Sequence, residues 1–258
     1  MNSPQLHFYH LADDVTAFST KRQGGVSTGN YSSFNINRYC GDSEENVEAN
    51  RQLLCSELGI DIKKLIYPHQ VHDTVVKRID EAVVAMPSDE RDKVLDGVDA
   101  LMTDLKGVCI GVSTADCIPV LLYDPMHHAC CAVHAGWRGT VKRITEKAVE
   151  AMADTYGSDP LQMRAVIGPG ISLENFEVGH EVYEAFQTGL FPMDRIARKY
   201  EKWHIDLWEA NRLMLLDKGL AAGNITIDGT CTYKNAGVYF SARRLGVASG
   251  RIFTGILR

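Results

Sequence analysis

The sequence of 258 residues predicts an α/β fold of the α+β type, with mixed β-sheets and helices on their outer faces. Three short, nearly continuous apolar runs in the middle of the chain are typical of strands that are buried on both faces. Segments with helical spacing flank these runs without strict β-α-β alternation. No linker, internal repeat or low-complexity tract divides residues 1–258, so we expect one domain.

The first forty residues are polar and turn-rich, and the glycine-containing segment 22–30 (RQGGVSTGN) is a predicted loop. Apolar residues at helical spacing predict a first helix over 44–58, which ends at a glycine where a left-handed cap is natural. A strand is predicted over 75–79. The charged stretch 87–96 is expected to be a mobile segment.

The three apolar runs predict strands over 107–112 (GVCIGV), 118–123 (IPVLLY) and 129–134 (ACCAVH). A link of five residues, DPMHH, joins the second and third runs, so we expect these two strands to form a hairpin. The remaining predicted elements are helices over 140–156, 178–186 and 206–219, the last with a capping box at Asp206 and Glu209, and strands over 163–167 and near Ile225, Val238 and Ile252.

The charge balance excludes several classes of function. With 27 basic and 33 acidic residues the formal net charge is -6, and no block of Lys and Arg occurs, so a nucleic-acid or anionic-membrane partner is not expected. No apolar stretch approaches the roughly 20 residues that span a bilayer. Residues 1–11 lack the basic and apolar regions of a signal peptide, so we expect a soluble, cytoplasmic protein.

The chain has seven cysteines, an odd number with no C-x-x-C pair, which disfavours a disulfide framework and a zinc ribbon. Cys109, Cys130 and Cys131 lie inside apolar runs and are expected to fill the core. Cys117 differs, because it lies beside Asp116 at the junction of two predicted strands. Such a junction is where a metal ligand or a nucleophile would be displayed.

Histidines lie close to Cys117 in the predicted fold. His134 ends the third apolar run, so the hairpin brings it to the same end as Cys117. Counting outward from the five-residue link pairs Tyr123 approximately with Ala129 and places Cys117 near Ala135, one residue from His134. Either His69 or His72, three residues apart, could join them. Two imidazoles and one thiolate suit a catalytic zinc with an open position. The residues alone also allow a metal-free core contact or a Cys-His nucleophile pair.

A series of sequence blocks extends along nearly the whole chain and resembles the bacterial laccase-domain (YfiH-like) proteins, once labelled polyphenol oxidases and now regarded as purine nucleoside phosphorylases. Lys21 and Asp73 depart from the residues that are more usual in that family. The blocks are TKRQGGVSTGNYSSFN (20–35), GD (41–42), VEANR (47–51), QVHDTVV (70–76), DGVDALMTD (96–104), STADCIPVLLYD (113–124), AVHAGWRGT (132–140), IGPGIS (167–172), CTY (231–233) and FSARR (240–244).

The resemblance implies an α/β/β/α layered sandwich and a zinc site made by His72, Cys117 and His134, with copper as the alternative metal. It also implies phosphorolysis of adenosine, inosine, guanosine and 5'-methylthioadenosine to the base and ribose 1-phosphate, with adenosine deamination as a second activity. Zinc deaminases use a nearby carboxylate to move the proton. Asp116 is a candidate for that role, and capping of its own turn is the alternative.

Phosphorolysis requires a phosphate site, and arginine suits it because its planar guanidinium binds oxyanions with two hydrogen bonds. The candidates are Arg22, Arg243, Arg244 and Arg138. We expect purine nucleosides and phosphate as the partners, and a monomer or a small homo-oligomer.

Three other functions remain open at this stage. The least favoured is a non-enzymatic binding module, because His72, Cys117 and His134 together with arginines are a costly arrangement for binding alone. Another is a multicopper oxidase, which needs further histidines, typically in H-x-H pairs. The nine histidines of this chain form no H-x-H pair, which disfavours this function. A Cys-His hydrolase, such as an amidase that acts on cell-wall precursors, would use Cys117 to attack carbon instead of binding metal.

Overall fold

The structure is a computed structural model that describes residues 3–258, and in this range it contains fourteen strands and nine α-helices. The strands are β1 (Leu6–Tyr9), β2 (Thr16–Thr20), β3 (Leu65–Ile66), β4 (Val76–Arg78), β5 (Ala100–Thr103), β6 (Cys109–Thr114), β7 (Ile118–Asp124), β8 (Ala129–Ala135), β9 (Arg164–Ile167), β10 (Glu177–Val178), β11 (Ala197–Lys199), β12 (Trp203–Ile205), β13 (Ile225–Ile227) and β14 (Ile252–Leu257). The helices are α1 (Glu44–Leu58), α2 (Glu81–Ala85), α3 (Ser88–Val94), α4 (Trp137–Val141), α5 (Ile144–Tyr156), α6 (His180–Thr188), α7 (Met193–Ile196), α8 (Leu207–Asp217) and α9 (Ala242–Leu245).

Two mixed sheets pack face to face and form the centre of the molecule. The larger has six strands in the order β13-β9-β7-β8-β5-β4, and the other has five in the order β1-β2-β14-β6-β3. Helices α5 and α8 cover the outer face of the six-stranded sheet, and α1 packs on the outer face of the five-stranded sheet. Strands β10, β12 and β11 form a small separate sheet. The predicted α/β fold with mixed sheets and outer helices is confirmed.

Side-chain alternation along β8 explains how this fold directs a histidine toward the space between the sheets. Cys131 and Val133 face the core under the helices, whereas Cys130 and Ala132 face the core between the two sheets. Because successive side chains point to opposite faces, His134 lies on the same side as Cys130 and Ala132. It is near the end of the strand, so it faces one end of the sandwich.

The predicted hairpin is β7–β8, with Ile118 paired to Ala135 and Tyr123 paired to Cys130. The register therefore differs by one residue from the count that paired Tyr123 with Ala129. Cys117 lies just before β7, next to the end of β8, as the hairpin prediction required.

Helix α1 has the predicted bounds, and Gly59 ends it with a φ of +66°. The cysteines predicted to lie in the core, Cys109, Cys130 and Cys131, are buried. The predicted helix over 140–156 is two helices, α4 and α5, because Arg143 between them has a φ of +66°.

Two expectations are wrong, and two strands in the first forty residues were not predicted. The stretch 87–96 contains α3, because its charges suit a helix: Asp89 and Glu90 lie in the first turn and Arg91 and Lys93 in the last. No strand forms at Val238, which lies in a turn where its N–H donates to the Asn235 carbonyl. The turn-rich first forty residues contain β1 and β2, and β2 pairs with the distant strand β14.

No helix of the described residues is both long enough and apolar enough to cross a membrane.

Candidate metal centre and active site

Three side chains from different parts of the chain meet at one end of the sandwich. His72, Cys117 and His134 each offer a ligand atom, and these atoms lie within 4.8 Å of one another. The distance from Cys117 Sγ to His72 Nε2 is 3.8 Å, and the two imidazole rings meet edge to face with centroids 4.7 Å apart. His72 is exposed, Cys117 is half-buried and His134 is buried, so the group opens to solvent on one side.

Local backbone geometry brings these side chains together. Cys117 ends the short turn between β6 and β7, after Asp116 at a φ of +87°. His72 itself has a φ of +63°, an uncommon conformation for a residue other than glycine. Gly136 follows β8, and a Cβ there would lie 2.8 Å from His72 Cδ2 and 3.1 Å from Cys117 Sγ. Position 136 therefore favours glycine, because a side chain there would collide with His72 and Cys117.

Asp99 holds both histidines. Its carboxylate is fully buried and accepts a hydrogen bond of 2.7 Å from His134 Nδ1. It also accepts the backbone N–H groups of Val71, His72 and Asp73 at 3.2, 3.0 and 2.8 Å. The bond to His134 Nδ1 leaves Nε2 as the free ligand atom, which is the arrangement typical of metal-binding histidines.

The electrostatics of the group favour an ionised thiol. Burial by itself would raise the pKa of Cys117, but the charge and hydrogen bond of His134, and then those of His72, lower it to about 6. Burial opposes the charge on His134, yet Cys117 and Asp99 raise its pKa to about 9. His134 and the N–H groups of the 71–73 segment likewise lower the pKa of Asp99 against the effect of burial.

These residues fit a metal ion. Two imidazole nitrogens and a thiolate are the donors of a three-residue zinc site, and the solvent side leaves a further position free. Among residues 3–258, no second trio of His, Cys, Asp and Glu side chains meets the same distance criterion. One such group does not supply the several copper sites of a multicopper oxidase.

The three side chains line a cavity of about 380 Å³, within the usual size range of small-molecule sites. Tyr39 and His69 form part of its wall, stacked with ring centroids 4.3 Å apart. His69 Nδ1 lies 2.7 Å from the Asp96 carboxylate, so His69 belongs to the wall and not to the trio. Arg251 lines the same cavity, held by hydrogen bonds to the carbonyls of Val247, Ser249 and Gly250.

The four arginines predicted to bind phosphate make their contacts outside the lining of this cavity. Arg22 donates to the carbonyls of Ser32 and Ala236, and its guanidinium lies 4.9 Å from the centre of the Phe240 ring. Arg138 is exposed and stacks on Trp137.

Arg243 and Arg244 are exposed on α9, where Arg243 donates to the carbonyl of Glu177 and Arg244 stacks on Tyr233. None of the four predicted arginines lines the cavity. Their phosphate-binding role stays a prediction.

Asp116 is next to Cys117 in sequence, but its carboxylate is already engaged. Its two oxygens accept hydrogen bonds of 2.7 Å from Thr232 Oγ1 and from the backbone N–H of Arg243. These contacts join the cysteine turn to the C-terminal segment. In this arrangement Asp116 positions the turn, and its role in proton transfer stays a prediction.

Sequence reasoning assigned no role to Asp99 or Arg251. Asp99 lies in the block DGVDALMTD, where a carboxylate directly before a buried strand was an available signal. Arg251 gives no such signal, because it reaches the cavity only through the pairing of β14 with β2 and β6.

The fold and this site together define a layered α/β protein with one His-Cys-His metal set at the end of its sandwich. Residues 16–258 match the family model described as multi-copper polyphenol oxidoreductase laccase. The chain belongs to this laccase family.

Two curated relatives are similar over almost their whole length. One is a purine nucleoside phosphorylase of Bacteroides thetaiotaomicron, 47% identical over 95% of this chain and 92% of the relative. The other is adenosine deaminase RL5 from an unknown prokaryotic organism, 42% identical over 98% of both chains.

Two solved structures have the same fold. The hypothetical protein YfiH of Bacillus licheniformis is 28% identical with a TM-score of 0.93, covering 100% of this chain and 98% of that one. YlmD of Geobacillus stearothermophilus is also 28% identical, with a TM-score of 0.90 and coverage of 97% and 94%.

Replacement of Asp99 by Asn should weaken metal binding. The amide carries no charge and cannot accept all four hydrogen bonds, so both histidines lose their fixed orientation. We expect about a 10- to 100-fold loss of zinc affinity, measured by competition with a chromogenic chelator. Asp96→Asn is the matched control, because Asp96 contacts His69 outside the trio. Equal affinities for the two variants would contradict the assignment.

The lowered pKa of Cys117 predicts its reactivity in metal-free protein. The thiolate is the reactive form, so alkylation by iodoacetamide should increase as pH rises through about 6 and reach its plateau by neutral pH. Burial raises the pKa of Cys40, so Cys40 in the same protein should react only at higher pH. Peptide mass spectrometry measures each site. A Cys117 rate that still increases near pH 9 would show an ordinary thiol.

Proposed function

We propose that this protein is a zinc-dependent purine nucleoside phosphorylase. It would cleave adenosine, inosine, guanosine and 5'-methylthioadenosine with phosphate, giving the free base and a ribose 1-phosphate, and would also deaminate adenosine. The observation that carries the proposal is the meeting of His72, Cys117 and His134 at a cavity that an arginine also lines. The names of two close relatives, a purine nucleoside phosphorylase and an adenosine deaminase, support it.

His72, Cys117 and His134 would hold the metal, which when bound would supply a Lewis acid beside the substrate. Asp99 keeps the free nitrogen of His134 directed at the centre and fixes the backbone of His72. The low pKa of Cys117 means that the thiol reaches its ligating form at neutral pH without a separate base.

The cavity walls suggest how the substrates are held. Arg251 is the arginine in the cavity lining, and a guanidinium fixed by three carbonyls can present its remaining donors to phosphate without further ordering. The stacked rings of Tyr39 and His69 provide an aromatic surface on which a purine can stack. Arg22, Arg138, Arg243 and Arg244 remain secondary candidates for phosphate.

A cysteine hydrolase is the second candidate function. It is favoured by one observation, the ionised thiol of Cys117 beside the imidazole of His134, which is the pair that such enzymes use as nucleophile and base. A polyphenol oxidase is less well supported, because the described residues contain a single trio of suitable ligands. We further propose a cytoplasmic enzyme of one domain, active as a monomer or a small homo-oligomer, with no nucleic-acid or membrane partner.

Purified zinc-loaded protein should release purine base from adenosine, inosine and methylthioadenosine only when phosphate is present. Chromatography of the products identifies base and ribose 1-phosphate, and inosine formed from adenosine reports the deaminase activity. Base release without phosphate, or none at all, would contradict the phosphorylase proposal.

Metal removal separates the two candidate functions. Dialysis against a chelator should abolish nucleoside cleavage, and added zinc should restore it, because the metal ligands are then occupied again. Cleavage that is indifferent to chelation would overturn the zinc mechanism and leave Cys117 free to act as a nucleophile. An intense blue absorption band with bound copper would favour the oxidase.

Replacement of Arg251 by Gln should raise the KM for phosphate at least about 10-fold and leave the KM for the nucleoside nearly unchanged, because a charge-assisted contact is lost only to phosphate. Arg22→Ala tests the earlier candidate in the same assay. Arg78→Gln, an exposed arginine paired with Asp104, is the control. Unchanged phosphate kinetics in Arg251→Gln would remove this residue from the site.

A further inference from the structure

A second and larger cavity lies on the other side of the 37–42 segment from the metal centre. Its volume is about 580 Å³, and Arg38 and Asp42 line it, whereas Asn37, Tyr39 and Cys40 line the cavity of the metal centre. Helix α1 and the 62–63 turn form further parts of its wall. None of the residues assigned to the metal centre contributes to it.

Three guanidinium groups meet in this cavity. Arg38, Arg51 and Arg91 all line it, and Arg38 and Arg51 each lie 5.7 Å from the centre of the Tyr67 ring. Arg51 and Arg91 are each only 8% exposed. Two buried arginines and a third beside them are an unusual arrangement, because like charges repel and each buried charge loses its hydration.

Arg91 has no carboxylate partner within the described residues. Its hydrogen bond there is donated by Nη1 to the carbonyl of Lys63 at 2.9 Å, and it takes part in no ion pair of that range. Burial lowers the pKa of Arg91; nearby Asp92 opposes this effect, and the charges of Arg51 and Arg38 add to it. Asp92 forms its ion pair with Arg38 at 2.6 Å, so the described residues leave the buried Arg91 guanidinium without a carboxylate in direct contact.

Arg51 also has unused donors. Its Nη1 pairs with Glu48 at 2.6 Å, but its buried Nε has no hydrogen-bond partner in the part of the chain that the structure describes. Lys63 adds a fourth cation to the wall. Three acidic residues also line the cavity. Glu48 is paired with Arg51, and Asp42 accepts hydrogen bonds from Ser27 and Asn35. Glu44 is therefore the one carboxylate of the described lining that is left to balance the remaining cations.

We propose that this arginine cavity, defined by Arg38, Arg51, Arg91 and Lys63, binds a phosphate-bearing small molecule at a site separate from the metal centre. Guanidinium groups recognise the tetrahedral oxygens of phosphate, and several of them together match its multiple charge. The bound anion supplies the counter-charge that Arg91 lacks. The cavity is larger than inorganic phosphate, so pyrophosphate or a phosphorylated metabolite fits the space.

The test is calorimetric titration with inorganic pyrophosphate, using wild-type protein and Cys117→Ala, in which the metal centre is disabled. Both should bind pyrophosphate, and Arg251→Gln, which weakens the proposed phosphate site of the metal cavity, should bind it in the arginine cavity as tightly as wild type. Arg91→Met should weaken it at least 10-fold, and Lys93→Gln should not, because Lys93 is an exposed residue on the same helix α3. Absence of binding, equal binding by Arg91→Met, or loss of binding in Cys117→Ala would overturn the proposal.

A thermal measurement separates a ligand role from a structural one. In phosphate-free buffer Arg91→Met should melt at the same or a higher temperature than wild type, because the variant removes an unpaired buried charge. Pyrophosphate should raise the melting temperature of wild type and not that of the variant. A melting temperature that falls in the variant without anion would mean that Arg91 serves the fold and would overturn the proposal.

Arg38→Gln, at a half-buried position, gives a second test that does not depend on how Arg91→Met folds, and it should also weaken pyrophosphate binding. Titration with ribose 5-phosphate distinguishes the source of the phosphate group: tighter binding than pyrophosphate supports a phosphorylated metabolite, and weaker binding supports an inorganic polyphosphate. Citrate binding more tightly than both would overturn the assignment of phosphate.

Discussion

The buried carboxylate of Asp99 is the interaction on which the candidate active site depends. It lies just before β5, and its four hydrogen bonds reach the end of β8 and the 71–73 segment. Burial of an isolated carboxylate costs several kcal/mol, whereas each hydrogen bond to a charged group contributes about 1.5–3 kcal/mol. The carboxylate is therefore stable only while all its donors stay in place. The same requirement fixes the positions of His72 and His134.

The metal centre also depends on backbone conformations that most residues avoid. The left-handed conformation of His72 costs roughly 1–2 kcal/mol, and its N–H bond to Asp99 offsets that cost. Gly136 leaves space beside Cys117 and His72 that any Cβ would fill. Asp116 connects the cysteine turn to the C-terminal segment through Thr232 and Arg243. The ligands are thus held before a metal binds, which reduces the ordering that binding requires.

The structure distributes the charge of the molecule unevenly. The net charge is -6, yet one arginine lines the cavity of the metal centre and three line the second cavity, across the 37–42 segment. Arg251 faces the metal centre, and Arg38, Arg51 and Arg91 surround the second cavity. This segment contributes to both walls. An anion bound to Arg38 would therefore contact the residue that lies directly between Asn37 and Tyr39, both of which line the metal cavity. An acidic protein can therefore bind anions where its fold gathers a few cations.

Several features could be predicted from the sequence because they depend on neighbours along the chain. The periodicity and the terminal glycine predicted α1, and the short link between two apolar runs predicted the β7–β8 hairpin, with Cys117 and His134 at one end. The choice of His72 over His69 came from the family resemblance. In the structure His72 belongs to the trio and His69 pairs with Asp96.

Only the tertiary structure decided the rest, because the deciding contacts join residues far apart in sequence. Asp99 lies 35 residues from His134, and its role requires that β5 and β8 be neighbours. Arg251 reaches the metal cavity through the pairing of β14 with two distant strands, and the packing of α3 brings Arg91 into one cavity with Arg51 and Arg38. Local sequence patterns report periodicity and turns, but they carry no information on which distant side chains will share a buried charge or a cavity.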